Sequence, residues 1–213
     1  MRIIRKGKKL YTKNLIPGKS VYGEKLVKID SEEFREWDPF RSKLAAAILK
    51  GLKTIPINEN SSILYLGAAQ GTTVSHISDI AVNGVIYCVE IASKPFEKLL
   101  FLCEERKNLI PILEDANYPE RYANIVDSVD FLYQDVSQKN QAEIFIKNVK
   151  QFLKRGGYGL IMIKARSIDV AEDSKIIFKR ELEKIRASGV EILEKVDLRP
   201  FDKDHIAVLI RLL

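Results

Sequence analysis

Apolar, β-branched runs alternate with helix-period segments through most of the chain. The run "SSILYLGAA" is followed by a predicted helix from Thr72 to about Ala81, and "GVIYCVEI" by one from about Lys94 to Lys107. "LIPILEDA" leads to a short helix near Pro119 to Val126, and "VDFLYQDV" to a helix from about Asn140 to Lys154. "YGLIMIKA" precedes a helix across Ser174 to Ala187. Hydrophobic strands alternating with helices specify a parallel sheet covered on both faces. The end breaks the rule, because "VEILEKVDL" and "HIAVLIRLL" are joined only by "RPFDKD". That connection is too short for a parallel crossover, so the last two strands are predicted antiparallel.

The beginning has a different pattern. "MRIIRKGKKLYTKN", "KSVYGEKLVKID" and "EEFREW" read as β-like pieces broken by the turn "IPGKS", and predict a small antiparallel sheet over residues 1–36. Residues 37–213 then form the main domain, entered by a helix "KLAAAILKGL" that Ser42 caps and Gly51 closes.

Charge sharpens this division. The chain of 213 residues carries a net +6, yet residues 1–28 alone hold nine basic side chains against one acid, Glu24. The remainder is slightly acidic, so the basic surface belongs to the small sheet, where it serves solubility or meets RNA or an acidic protein. A composition 46% apolar and 30% charged suits a folded core. Two cysteines (Cys88, Cys103) and two histidines (His76, His205) provide neither a disulfide framework nor a four-ligand zinc site, so no metal is expected. Both cysteines sit in apolar segments as small hydrophobes, and His76 reads as a structural helix residue. There is no signal-peptide pattern at the start and no apolar run of membrane-spanning length, so a cytoplasmic protein without a membrane partner is expected.

The turn "GAAQG" after the first main-domain strand keeps Gly67 and Gly71 but has Ala69 where a dinucleotide-binding turn has its middle glycine. That glycine admits a pyrophosphate, and S-adenosylmethionine has none. Glu90 ends the second strand, 19 residues after Gly71, where a carboxylate can accept hydrogen bonds from ribose hydroxyls. Asp115 follows the third strand, within reach of an adenine amino group. The expected fold is therefore α/β: a Rossmann-like S-adenosylmethionine-dependent methyltransferase, with a seven-stranded, mostly parallel sheet and an antiparallel terminal hairpin, preceded by a small antiparallel β domain.

"WDPFRSKLAAAIL", "YLGAAQGTTVSHISDI", "VEI", "LEDA", "QDVSQ", "FLKRGGYG" and "IKARSIDV" occur in this order across nearly the whole chain. Together they resemble the fibrillarin family in its short archaeal form. The resemblance implies 2′-O-methylation of ribose in rRNA and tRNA by the catalytic subunit of a C/D-box ribonucleoprotein. Its implied partners are a Nop-domain scaffold protein, a kink-turn-binding ribosomal-type protein, a C/D-box guide RNA and the rRNA or tRNA substrate. The cofactor contacts it implies are Gly67, Thr72, Thr73, Glu90, Ile91, Asp115, Ala116, Asp135, Val136, Ser137 and Gln138. Four positions depart from the family's usual pattern: Gln70 for serine, Ile91 for an aromatic, Gln134 for an acid and Ser137 for alanine. Without a ring at Ile91, adenine is packed but not stacked, and weaker cofactor binding is expected.

A ribose hydroxyl is a weak acid, so attack on a sulfonium methyl needs alignment and removal of its proton. The strand ends of an open α/β sheet share one rim, where Lys43, Asp135, Lys164 and His205 can converge. The resemblance implies that these four surround the target hydroxyl. Lys164 is the leading proton acceptor, with a pKa expected to be lowered by Lys43 and burial, Asp135 orienting it, Lys43 steering the ribose or phosphate and His205 supporting the site. Two other functions stay open at this point: an NAD-dependent oxidoreductase, which the missing glycine and terminal hairpin disfavour, and a non-catalytic methyltransferase-like scaffold subunit of an RNA-protein particle, which the intact Lys43, Asp135 and Lys164 disfavour.

Overall fold

The computed structural model describes residues 2–213. Strands β1 (Ile3–Lys6), β2 (Lys9–Lys13), β3 (Leu26–Ile29) and β4 (Glu32–Trp37) form an antiparallel sheet in the order β1-β2-β4-β3. The opening stretch, read as one piece, is a hairpin, because Gly7 at φ 59° reverses the chain between β1 and β2. Asp30 and Ser31, both in the left-handed region, turn β3 into β4 as a tight two-residue connection requires.

Ser42 accepts from the Ala45 N–H and caps α1 (Lys43–Leu49), after which Gly51 at φ 104° turns the chain away. The larger sheet follows: β5 (Ser62–Leu66), α2 (Thr72–Ile80), β6 (Val85–Glu90), α3 (Ser93–Glu105), β7 (Leu109–Leu113), a 3₁₀ turn (Pro119–Tyr122), β8 (Val129–Gln134), α4 (Gln141–Phe152), β9 (Leu153–Lys164), α5 (Ala165–Ile168), α6 (Ser174–Arg186), β10 (Val190–Asp197) and β11 (His205–Leu212). Its order is β10-β11-β9-β8-β5-β6-β7, parallel from β9 to β7 and antiparallel where β11 pairs with β9 and β10. Strand β9 begins directly after α4 at Leu153, several residues before the sequence pattern suggested.

Period-two alternation divides the core. Ile63 and Tyr65 join Phe131, Tyr133, Leu160 and Met162 on the face shared with α1 and α2. Leu64 and Leu66 join Leu132, Ile161 and Ile163 on the face covered by α4 and α6. Both faces are buried, which is why these strands read as continuous apolar runs.

The small sheet docks on α2 through a buried ionic knot. Asp79 accepts from Arg35 at 2.8 Å and Arg106 at 2.7 Å, and from the Thr12 hydroxyl at 2.7 Å. Arg35, Arg106 and Asp79 are all buried, and Glu24 meets the second side of the Arg35 guanidinium. His76 holds the structural role expected: it stacks on Trp37 at 4.8 Å between ring centroids and lies 2.7 Å from both the Thr12 and Tyr22 hydroxyls. Thr12 spends its proton on Asp79, so His76 Nδ1 donates to Thr12, and Nε2 accepts from Tyr22. Burial and the two arginines hold this imidazole well below its ordinary pKa.

Four of the nine N-terminal cations face carboxylates of their own chain: Arg2 with Glu59, Lys9 with Glu36, Lys13 with Glu32 and Lys19 with Glu105. Cys88 is buried and Cys103 half-buried, with the Cys103 thiol pushed by burial to about 11. Among the described residues no helix is long and apolar enough to cross a membrane.

Candidate active site at the carboxyl rim of the sheet

The carboxyl ends of β5, β6, β8 and β9 and the start of β11 meet at one rim. There Gly67 and Ala69 turn away from β5 with φ of 81° and 49°. A cleft of about 320 Å³ opens between them, lined by Val89, Glu90, Ile91, Glu114, Ala116 and residues 135–138. A side chain at Gly67 would overlap the backbone carbonyl of Asp135, so glycine is required for the β5 turn to approach the β8 loop. Glu90 braces the opposite wall, its two oxygens each accepting at 2.8 Å from the N–H groups of Ala69 and Ala92. Each oxygen retains a lone pair for a further donor.

The lining is chemically divided: Val89, Ile91, Ala116 and Val136 give apolar walls, whereas Glu90, Glu114 and Gln138 give acceptors. Such a set fits an adenosine, with its flat ring between apolar surfaces and its hydroxyls on carboxylates. It offers no cation for a phosphate, consistent with the missing middle glycine. Among the described residues no group of His, Cys, Asp and Glu is arranged to hold a metal ion.

Nine of the eleven residues expected around the cofactor are at the cleft or directly behind it. Asp115 is the one behind: its carboxylate accepts from the Asn117 backbone and side chain and, at 3.3 Å, from Gln138, so it reaches the cleft through Gln138. Thr72 and Thr73 are not brought into it. The Thr73 hydroxyl is buried and donates to Ser42 at 3.0 Å, and Thr72 lines a separate depression with Tyr22, Arg41 and Lys98. Glu114, which sequence reasoning passed over for its neighbour Asp115, lines the cleft itself.

At the end of the cleft, Lys43 Nζ stands 2.9 Å from both oxygens of Asp135, tying the first residue of α1 to the residue after β8. A lysine in the first turn opposes the helix dipole, and the carboxylate offsets that penalty. Lys164 ends β9 directly opposite His205 on β11. Opposed residues of antiparallel strands project from the same face, so the two side chains are neighbours. His205 Nδ1 lies 2.7 Å from the Lys203 carbonyl and 2.8 Å from Asp202, both acceptors, and therefore carries the proton in the neutral ring. Its Nε2 is buried and has no protein partner among the described residues. Burial lowers the His205 pKa, and Lys43 adds to that, whereas the Lys203 carbonyl, Asp202 and Asp135 oppose it.

The four expected residues thus converge, with one revision of roles. The carboxylate of Asp135 is engaged by Lys43, not by Lys164, which makes no ion pair among the described residues. Lys164 is instead fixed through its backbone, by Gln141, a residue that sequence reasoning missed.

A seven-stranded sheet in this order, with its antiparallel hairpin and an acid-ended second strand, defines a Rossmann-like S-adenosylmethionine-dependent methyltransferase fold. The family model for fibrillarin matches residues 1–212, and the chain belongs to the fibrillarin family. It is 57% identical over 199 residues to the fibrillarin-like rRNA/tRNA 2′-O-methyltransferase of Methanocaldococcus jannaschii, covering 93% of this chain and 86% of that protein. It superposes with a TM-score of 0.89 on Aeropyrum pernix fibrillarin, crystallised with natively bound S-adenosyl-L-methionine, at 49% identity over 95% of this chain and 88% of that one. The fibrillarin of a fibrillarin/Nop5p complex matches with a TM-score of 0.92 at 45% identity, covering 100% of this chain and 98% of that one.

Proposed function

We propose that this protein transfers the methyl group of S-adenosylmethionine to ribose 2′-hydroxyls of rRNA and tRNA. It does so as the catalytic subunit of a particle containing a Nop-domain scaffold protein, a kink-turn-binding protein and a C/D-box guide RNA. The observation that carries this reading is the convergence of the Lys43–Asp135 pair, Lys164 and His205 at the end of a cleft whose apolar walls and acceptors fit adenosine.

Glu90 would accept the cofactor's ribose hydroxyls, and Ile91, Ala116 and Val136 would flank its adenine. When bound, S-adenosylmethionine supplies an electrophilic methyl on a positively charged sulfur. Lys43, held by Asp135, positions the target ribose through its remaining donors. Lys164, which has no carboxylate partner among the described residues, would be the acceptor of the hydroxyl proton as the new O–CH₃ bond forms and the S–CH₃ bond breaks. The neutral His205 packs beside it and adds no competing positive charge.

The test is reconstitution with the scaffold protein, the kink-turn-binding protein and guide RNA, using cofactor labelled in its methyl group. Label should appear on the 2′-oxygen opposite the guide-specified position. A particle that assembles but transfers no label to any guided RNA would assign the chain a scaffold role instead.

A further inference from the structure

The β8–β9 ladder ends at the Gln134–Ile161 pair, but β9 runs on through Met162 and Ile163 to Lys164. On the other side β11 remains alongside, and the Ala165 N–H reaches the Asp204 carbonyl. Backbone groups alternate sides along a strand, so the N–H and C=O of Lys164 face the side that β8 has vacated. Gln141 fills that place. Its Oε1 accepts from the Lys164 N–H at 2.8 Å, and its Nε2 donates to the Lys164 carbonyl at 3.2 Å. One carboxamide thus supplies the donor and acceptor that a neighbouring strand would have supplied.

Gln141 is fully buried and is the first residue of α4. Its own carbonyl accepts from Gln134 Nε2 at 2.8 Å, and Gln134 immediately precedes Asp135. The next N–H in the helix, that of Ala142, donates to the buried Glu181 of α6 at 3.3 Å. A continuous polar chain therefore runs from the residue beside Asp135, through Gln141, to the backbone of Lys164.

We infer that Gln141 is a positioning residue for the methyl-transfer reaction: it holds the end of β9 at the height at which the Lys164 amine meets the substrate, and ties that height to the Asp135 loop. This inference rests on the reading of Lys164 as a reacting residue. It follows from geometry, because a frayed strand end would let the amine wander by about an ångström, and displacement on that scale can cost up to about 10²-fold in rate. Gln141 is not in the cofactor cleft, so its effect falls on chemistry and not on cofactor affinity.

The experiment compares Gln141→Met, which keeps length and removes both bonds, with Lys164→Ala and the double variant, in the reconstituted particle at saturating cofactor and RNA. Gln141→Met should lower the single-turnover rate by about 10–10²-fold. Its dissociation constant for S-adenosylmethionine, measured by calorimetry, should stay within about twofold of the wild type. In the Lys164→Ala background the same change should have almost no further effect, since the positioned amine is gone. Gln141→Glu, which retains the acceptor but not the donor, should fall between Met and the wild type, and it becomes the reading variant if Gln141→Met does not fold. Wild-type rate in the folded variant, an equal loss in both backgrounds, or a matching loss of cofactor affinity would overturn the positioning role. If Lys164→Ala itself retains the wild-type rate, the reading beneath it fails, and that outcome is distinct from the other three.

Discussion

Both carboxylate oxygens of Asp135 lie 2.9 Å from the ammonium nitrogen of Lys43, although 92 residues separate the two in sequence. The pair joins the helix that enters the main domain to the loop that floors the cleft, and in the proposed reaction it would couple the substrate to the cofactor. Neither partner belongs to the hydrophobic core, and both side chains remain partly exposed. Asp135→Ala should therefore fold and assemble, yet methylate about 10²–10⁴-fold more slowly, as expected for loss of a group acting at the reacting centre. Lys43→Ala should fall in the same range, and the double variant should lose much less than the product of the two, because the residues act as one unit. Single-turnover rates of the three particles check this; strict multiplicativity would contradict it.

Gly67 allows a separate test of the cofactor cleft. Its φ of 81° disfavours any side chain, and a Cβ would collide with the Asp135 carbonyl. Backbone strain of this kind costs about 1–3 kcal/mol, and relief here can come only by moving the loop that lines the cleft. Gly67→Ala should weaken S-adenosylmethionine binding by at least about tenfold, with little change in binding of the scaffold protein. Calorimetric titration of both ligands against the variant measures the split.

His76 makes stability depend on pH. Burial holds its folded-state pKa below the ordinary value, so under acid conditions the unfolded chain binds a proton that the folded chain refuses. Its contribution is fully present above about pH 6.5 and is lost as pH falls below that value, with a slope of up to about 1.4 kcal/mol per pH unit. His205, also lowered by burial, acts in the same direction. Denaturant midpoints of the wild type should decline between pH 7 and pH 5, and His76→Gln should show a shallower decline. Parallel declines would remove His76 as a cause.

Much of this architecture was legible in the chain. The alternation from "SSILYLGAA" onward specified the parallel sheet, and "RPFDKD" was short enough to require the final hairpin. The rim residues could be placed because the end of a strand is visible in the pattern, and strand ends share an edge. Side-chain partnership was not legible. The buried knot of Arg35, Arg106 and Asp79 has no sequence signal, since nothing local distinguishes a cation facing water from one facing an aspartate across the fold. Asp135 had two lysines within plausible reach, and only the approach of α1 selected Lys43. Gln141 resembles any amide at a helix start until β8 is seen to end before β9. The directions of the Thr72 and Thr73 hydroxyls were not legible, because a helix N-terminus shows which residues begin it, not which way each hydroxyl turns.

Acceptance of the ribose proton by Lys164 is tested most directly by the single-turnover rate of Lys164→Arg at saturating cofactor and guided RNA. Arginine keeps the charge and much of the length but cannot give up its proton at neutral pH. The variant should assemble normally and lose nearly as much rate as Lys164→Ala, about 10²–10⁴-fold. A near wild-type rate for Lys164→Arg would contradict the account and leave activation of the hydroxyl to Asp135 or to alignment alone.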